Sequence, residues 1–404
     1  MKKIISLLLT AGLMIGCLAG CGSNSADSND AADNSASGAD AASEYSVAMI
    51  TDYGDITDQS FNQTTYEACK EFCEAQGIQF NYYKPSGDST AERVASVEKA
   101  IDDGYNVIVM PGYAFGGTLV EVSESYKDVK FIALDVAAGD ILEAGVAKAG
   151  ETYDYNPANW NVNDYCYMDN VYCAIYQEEL SGYMAGYAAV KLGYTELGFL
   201  GGMAVPAVIR FGFGFVQGAD AAAAELGITV NLKYAYGNQF YGDGDITAAM
   251  DTWYGDGTQV VFACGGGIYT SAAEAAAKVG GKVIGVDSDQ SPIIDGGYGE
   301  GMTVTSAMKG LYPTTYDTLT DVIVNGNWAN YAGKITTLGL VSDEPTENYV
   351  QIPMDTTQWS DSFTQDDYKA LVASMRAGDI TVSNDTTAMP ATTNVNVSDL
   401  GNLK

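Results

Sequence analysis

The chain has 404 residues, 19 of them Lys or Arg against 52 Asp or Glu, for a formal charge of −33 at pH 7 with no histidine at all. So acidic a surface repels nucleic acid and anionic lipid, and the lack of imidazole removes Ser-His-Asp and Cys-His catalysis together with the commonest zinc and copper sites. The length suits two domains of ordinary size.

Lys2 and Lys3 precede an apolar run from Ile4 to Ile15, which closes on Leu18-Ala19-Gly20-Cys21. This predicts a secretory signal peptide over residues 1–20 that ends at a lipidated Cys21. Residues 22–43 are all Gly, Ser, Asn, Ala and Asp with almost nothing to bury, and residues 21–44 read as a disordered tether with a mean reach of roughly 25 Å. The expected location is the extracytoplasmic face of the cell membrane, held through the N-terminal lipid. Nothing beyond the signal is long and apolar enough to span a bilayer.

From Tyr45 onward, short β-branched runs alternate with helical patterns, which predicts an α/β chain with parallel sheets covered on both faces. Strands are expected at 45–51, 78–83, 106–110 and 130–135, with helices at 58–76, 90–102 and 118–126. Residues 137–170 are rich in Tyr, Asn, Asp and Gly without period, and read as a surface excursion. A second alternating set follows, with strands at 197–200, 229–234, 260–263 and 283–286 and helices at 179–191, 207–225, 246–253 and 271–279. Cys69 and Cys73 lie on one helix face and read as core packing. Cys166 and Cys173 fit either a disulfide or two reduced thiols.

In such sheets the loops after the strands line the ligand site. The first strand ends at Thr51-Asp52, and the next helix opens on Asp58-Gln-Ser-Phe-Asn-Gln63. Asp58 reads as an N-cap, whereas Phe61 beside Asn62 pairs an apolar plane with a two-way amide, which suits a flat heterocycle. Gly212, Gly214 and Gly218 have the wrong spacing for a dinucleotide fingerprint, and no phosphate-binding Gly-rich loop with Lys occurs. Cys264-Gly-Gly-Gly267 is either a close backbone approach to a ligand or a flexible turn. Asp287 and Asp289 lack the further oxygen ligands a hard cation needs, so no metal is expected. A carboxylate there accepts instead from vicinal hydroxyls, with Lys309 as a neighbouring donor.

Ile50-Thr-Asp-Tyr-Gly-Asp55 with Asp58–Gln63, Met110–Gly116, Gly201-Gly-Met203 with Arg210-Phe211, Gly285–Gln290 and Ser306-Ala-Met-Lys309 together resemble the basic membrane protein family, the nucleoside-binding lipoproteins of ABC transporters. The resemblance implies the type I periplasmic binding protein fold, two Rossmann-like lobes with a hinge and a central cleft. The lobes are expected at 45–175 with 303–326, and at 176–302 with 330–404. By position it places a base sandwich on Phe61 and Phe211, base-edge contacts on Asp52 and Asn62, ribose contacts on Asp287 and Lys309 beside Gly266, and a further acidic position at Asp135. Three features depart from the family: Gly212-Phe213 after the second stacking ring, which leaves Phe213 as a rival for that role; Ala204 in place of a frequent Asp; and the long stretch at 137–170, which would cap or narrow the cleft.

The expected function is therefore capture of a nucleoside, a purine one by preference, and its delivery to ABC permease subunits, with no catalysis and no cofactor. Removing either ring should weaken binding without unfolding the protein. A receptor for a sugar or other small polar ligand, serving uptake or sensing, is the alternative within the same fold, since aromatic rings stack on pyranose faces too. Asp52, Asp287 and Asp289 supply carboxylates for a nucleoside hydrolase, but that chemistry would need a calcium cluster and the family resemblance opposes it.

Overall fold

Strands buried on both faces need helices above and below them, and the alternating pattern supplies these by right-handed crossovers. The computed structural model describes residues 44–404. The expected signal peptide, Cys21 and all but the last residue of the tether lie outside the described residues.

The first half builds β1 (Ser46–Ile50), α1 (Phe61–Gln76), β2 (Gln79–Tyr83), α2 (Thr90–Asp102), β3 (Val107–Pro111), α3 (Phe115–Val122), β4 (Lys130–Leu134), α4 (Ala138–Lys148) and β5 (Val171–Tyr176). The second half builds α5 (Glu178–Lys191), β6 (Glu196–Gly201), α6 (Pro206–Leu226), β7 (Val230–Tyr236), α7 (Gly244–Gly255), β8 (Val260–Cys264), α8 (Tyr269–Val279), β9 (Lys282–Asp287), α9 (Ser291–Tyr298) and β10 (Thr303–Lys309). The chain then crosses back and forth through α10 (Leu311–Leu319), β11 (Lys334–Leu338), β12 (Val350–Gln351), α11 (Gln365–Ala377) and β13 (Val395–Asn402).

Among the described residues, one six-stranded sheet runs β11-β5-β4-β3-β1-β2 and a seven-stranded one runs β12-β10-β9-β8-β6-β7-β13. All pairings are parallel except that of β12 with β10. Strand order reverses beside β1 in one sheet and beside β6 in the other, so each sheet opens a crevice at its carboxyl edge there. The chain passes between the sheets after Tyr176, after Lys309 and after Leu338.

The late strands depart from expectation. Thr303–Lys309, expected with the first lobe, pairs with β9 in the second sheet, and Lys334–Leu338, expected with the second lobe, pairs with β5 in the first. Both are short runs that fit either sheet equally well, so composition does not reveal the partner. Residues 138–148, expected to be irregular, form α4 with Ile141, Leu142 and Val146 buried. Its opening Ala-Gly-Asp conceals the helical period, and Asp140 ties down the start by accepting from Ala137 N at 2.7 Å. Cys69 and Cys73 are buried, and Cys166 and Cys173 are buried free thiols. Among the described residues no helix is long and apolar enough to cross a membrane.

The glycines of α6 find their reason in packing. A Cβ at Gly214 would lie 2.1 Å from Glu179 O, and one at Gly218 2.0 Å from Tyr183 O, while one at Gly182 on α5 would lie 2.1 Å from Phe211 O. The two helices therefore meet backbone to backbone. This contact sets where Glu178, Arg210 and Phe211 stand at the head of the pair.

Candidate functional site

The loops after β1, β3, β4, β6, β7 and β8, with the ends of β9 and β10 and the start of α6, converge on one cavity holding about 780 Å³ of empty space, part of it open to solvent. Asp52, Phe61, Asn62, Asp135, Phe211, Gly266, Asp287 and Lys309 all line it. The eight cleft positions expected from sequence are thus brought together, from both lobes.

At the β1 exit, Asp52 Oδ1 accepts from Gly54 N and from Asn62 Nδ2, each at 3.1 Å. Gly112, at φ +130°, leaves space for this carboxylate, since a Cβ there would lie 2.3 Å from Asp52 Oδ2. The N-cap position of α1 is Ser60 and not Asp58 as expected, yet the Asp58 carboxylate, two residues outside, still ties down the helix start by accepting from the backbone of Ser60, Asn62 and Gln63 at 3.0, 2.9 and 3.1 Å. That tie fixes Phe61 at the first helical position with its ring on the cavity.

A second cluster surrounds Lys309. Its ammonium bonds Asp135 and stands 3.6 Å from Glu178 and 3.7 Å from Asp287. It also lies 4.6 Å from the Phe61 ring centroid and 5.7 Å from that of Phe211, so both rings flank one cation. Glu178 in turn accepts from Arg210 Nε at 2.6 Å. Burial works against the charged form of Lys309, but Asp135, Asp287 and Glu178 outweigh it and hold its pKa above the ordinary value. Burial pushes Asp135 and Asp287 upward, with Lys309 opposing. Asp52 is raised by burial as well, and Asp58 and Asp140 reach about 6 for the same reason.

The lobes touch across the cleft. Ser60 Oγ donates to Asp287 Oδ2 at 2.5 Å, and the Gln59 carbonyl accepts from Gln290 Nε2 at 3.1 Å and Ser288 Oγ at 3.3 Å. Gln59, Asp135 and Asp287 have φ of 57°, 60° and 67°. Three side-chain-bearing residues in the left-handed region, all at the cleft, mark backbone held in place by its surroundings.

The two rings differ in setting. Phe61 is half-buried, whereas Phe211 is 2% exposed and sits edge-on to Phe262 with centroids 6.1 Å apart. Phe213 is not on the cavity; it lies against Tyr234 in the second-lobe core. Of the stretch 137–170, Ala137 and Asp140 reach the cavity wall and the residues beyond α4 do not.

Sequence reasoning missed Glu178, Arg210, Asp140, Tyr113 and Phe240. Arg210 adjoined a residue singled out, but Glu178 looks like an ordinary acid in a first helical turn. Asp140 was hidden in the stretch read as irregular. Among the described residues no group of three or more His, Cys, Asp or Glu is placed to hold a metal.

Two doubly wound lobes meeting over an aromatic and carboxylate-lined slot, part of it open to solvent, have the architecture of periplasmic-type solute-binding proteins. In agreement, an ABC transporter solute-binding protein from Aeropyrum pernix K1 superposes with a TM-score of 0.59 at 21% identity, covering 85% of this chain and 88% of that one. A family model described as ABC transporter substrate-binding protein, PnrA-like, matches residues 45–371, and the chain belongs to that family. It is similar to the ABC transporter nucleoside-binding protein BmpA of Lactococcus lactis subsp. cremoris, 26% identical over 72% of this chain and 74% of that one. An uncharacterized lipoprotein of Pyrococcus abyssi is 23% identical over 84% of this chain and 76% of its own. The protein is accordingly the substrate-binding component of an ABC transporter, which works with permease partners, and not an enzyme.

Proposed function

We propose that the protein captures a nucleoside, a purine one by preference, between its lobes and delivers it to the permease from a lipid-anchored position outside the membrane. The observation that carries this reading is the pair of rings, Phe61 from one lobe and Phe211 from the other, on a single cavity with two separate hydrogen-bonding clusters. In this reading a planar base stacks between the rings; Asp52 with Asn62 offers contacts for its edge, and Asp135, Asp287 and Lys309 offer acceptors and a donor for sugar hydroxyls. Stacking worth about 1–3 kcal/mol per face would supply much of a micromolar affinity, about −8 kcal/mol. The L. lactis relative is named for nucleoside binding, which supports the same ligand class.

Charge favours a neutral ligand. Asp52, Asp58, Asp135, Asp140 and Asp287 line the cavity with Lys309 and Arg210, and both cations are already paired with carboxylates. A phosphate would have no free cation to meet. Isothermal titration with nucleosides, their 5′-monophosphates and free ribose tests this: nucleosides should bind, the monophosphates should bind far more weakly, and ribose should not compete. Monophosphates binding more tightly, or ribose displacing the nucleoside, would overturn the proposal. For the anchor, Leu18-Ala-Gly-Cys21 is the supporting motif, with a relative named as a lipoprotein. Cys21→Ser should release the protein from the membrane fraction, and retention there would refute the anchor.

A further inference from the structure

We infer that Phe240 of the second lobe and Tyr53 of the first retain the bound nucleoside, by closing an aromatic contact across the cleft that has to part before the ligand can leave. The inference rests on the nucleoside reading above and adds to it what holds the ligand in.

Tyr53 lies in the loop between β1 and α1, Tyr113 in the loop between β3 and α3, and Phe240 in the loop between β7 and α7. Tyr113 and Phe240 line the cavity, whereas Tyr53 does not. The Tyr53 ring stacks on that of Tyr113 with centroids 6.2 Å apart and an interplanar angle of 19°. On its other contact it meets the Phe240 ring at 6.3 Å and 41°. Three rings thus run from one lobe to the other beside the cavity, all within the range of favourable aromatic pairs, and the step between Tyr53 and Phe240 crosses the cleft.

Each ring of the crossing pair is supported by its own lobe. The Arg93 guanidinium, 4% exposed and donating to Asp88 O at 2.9 Å, stands 5.6 Å from the Tyr53 centroid. Phe240 packs on glycines at two strand exits: a Cβ at Gly202 would lie 2.6 Å from Phe240 Cδ1, and one at Gly265 3.3 Å from it. The Phe240 carbonyl accepts from Gly267 N at 2.9 Å, which ties its loop to the β8 exit. Both rings are therefore already in place when the lobes meet, and the contact costs little ordering. The other cross-cleft contacts, through Ser60 and Gln59, are hydrogen bonds that water can replace as the lobes part. The ring contact has no such substitute, because parting it exposes apolar surface. It weighs on release of the ligand and not on its entry, since entry starts from parted lobes in which the two rings do not touch.

The test is stopped-flow fluorescence with adenosine, inosine and uridine as probes. For whichever binds best, Phe240→Ala and Tyr53→Ala should each speed dissociation about tenfold, the weight of one aromatic pair, with association within about threefold of wild type. The double variant should dissociate about as fast as either single one, since each change removes the same contact. Tyr53→Phe, which keeps the ring, should stay within about twofold of wild type. Faster dissociation in Phe240→Ala with Tyr53→Ala unchanged would make Phe240 an ordinary wall residue and overturn the inference. Effects that multiply in the double variant, a Tyr53→Phe protein as fast as Tyr53→Ala, or unchanged rates throughout would overturn it as well, and all of these leave the nucleoside reading standing. Tyr53→Leu takes the place of Tyr53→Ala if that variant does not fold. Failure of the wild-type protein to bind any of the three nucleosides would overturn both readings.

Discussion

Replacing Phe61 by alanine separates binding from folding in a way that replacing Phe211 does not. Phe211 is 2% exposed, packs edge-on to Phe262 with centroids 6.1 Å apart, and sits where α6 meets Gly182 of α5. Truncating it leaves a core cavity and costs about 3–5 kcal/mol of stability, so its effect on binding has to be read beside a stability measurement. Phe61 is half-buried at the head of α1, whose start Asp58 ties down through backbone groups that the substitution does not touch. Its loss removes one stacked face, about 1–3 kcal/mol, or a fall in affinity of roughly 5- to 150-fold. The contact of its ring with Lys309, 4.6 Å from the centroid, would also be lost, adding a smaller stability term of about 0.5–2 kcal/mol. Titration with the best-binding nucleoside, beside a thermal melt, reads both quantities. Phe61→Leu, which keeps apolar contact without the ring, should fall between wild type and Phe61→Ala. Wild-type affinity in a Phe61→Ala protein would refute the sandwich.

Other outcomes follow from the buried charges and thiols. Lys309→Met strands Asp135, Glu178 and Asp287 around an apolar chain and should cost about 3–5 kcal/mol in denaturant unfolding; a loss below about 1 kcal/mol would contradict the network's weight. Burial raises Glu179 from 4.5 to about 7, and its Oε2 has no hydrogen-bond partner. A folded-state pKa above the unfolded one means that the protonated acid favours the fold: this contribution is complete below pH 4.5 and disappears as pH rises through about 7. Glu179→Gln should therefore stabilise the protein at pH 8 by up to about 3 kcal/mol and by little at pH 4, and a pH-independent effect in urea titrations would refute the shift. Cys166 and Cys173 are free in the fold, so the intact mass should be the same before and after reduction, and a gain of two hydrogens would show a bridge.

Much of this protein is written locally. Alternating apolar runs announce strands and helices because each element must bury one or two faces, and most strand boundaries fall within a residue or two of those expected. Part of the cleft was legible as well, since Asp52 and Asp287 stand at strand ends, where α/β sheets present ligand-binding groups, whereas Asp135 followed only from the family resemblance. What sequence left open depends on partners far along the chain. Thr303–Lys309 and Lys334–Leu338 carry no sign of which sheet they join, because a strand's composition specifies burial and not a neighbour. The α6 glycines showed only a spacing; the backbone of α5 against them gave it meaning. Glu178 became part of the site only when a crossover set it beside Lys309 and Arg210. The amide of Asn62 acquired a fixed direction only between two carboxylates. Sequence by itself determined which groups could bury surface or hold charge, through short-range periodicity and residue chemistry. Tertiary structure decided which of them meet, because the dielectric, the pairing and the free lone pairs at a buried site are properties of the assembled neighbours.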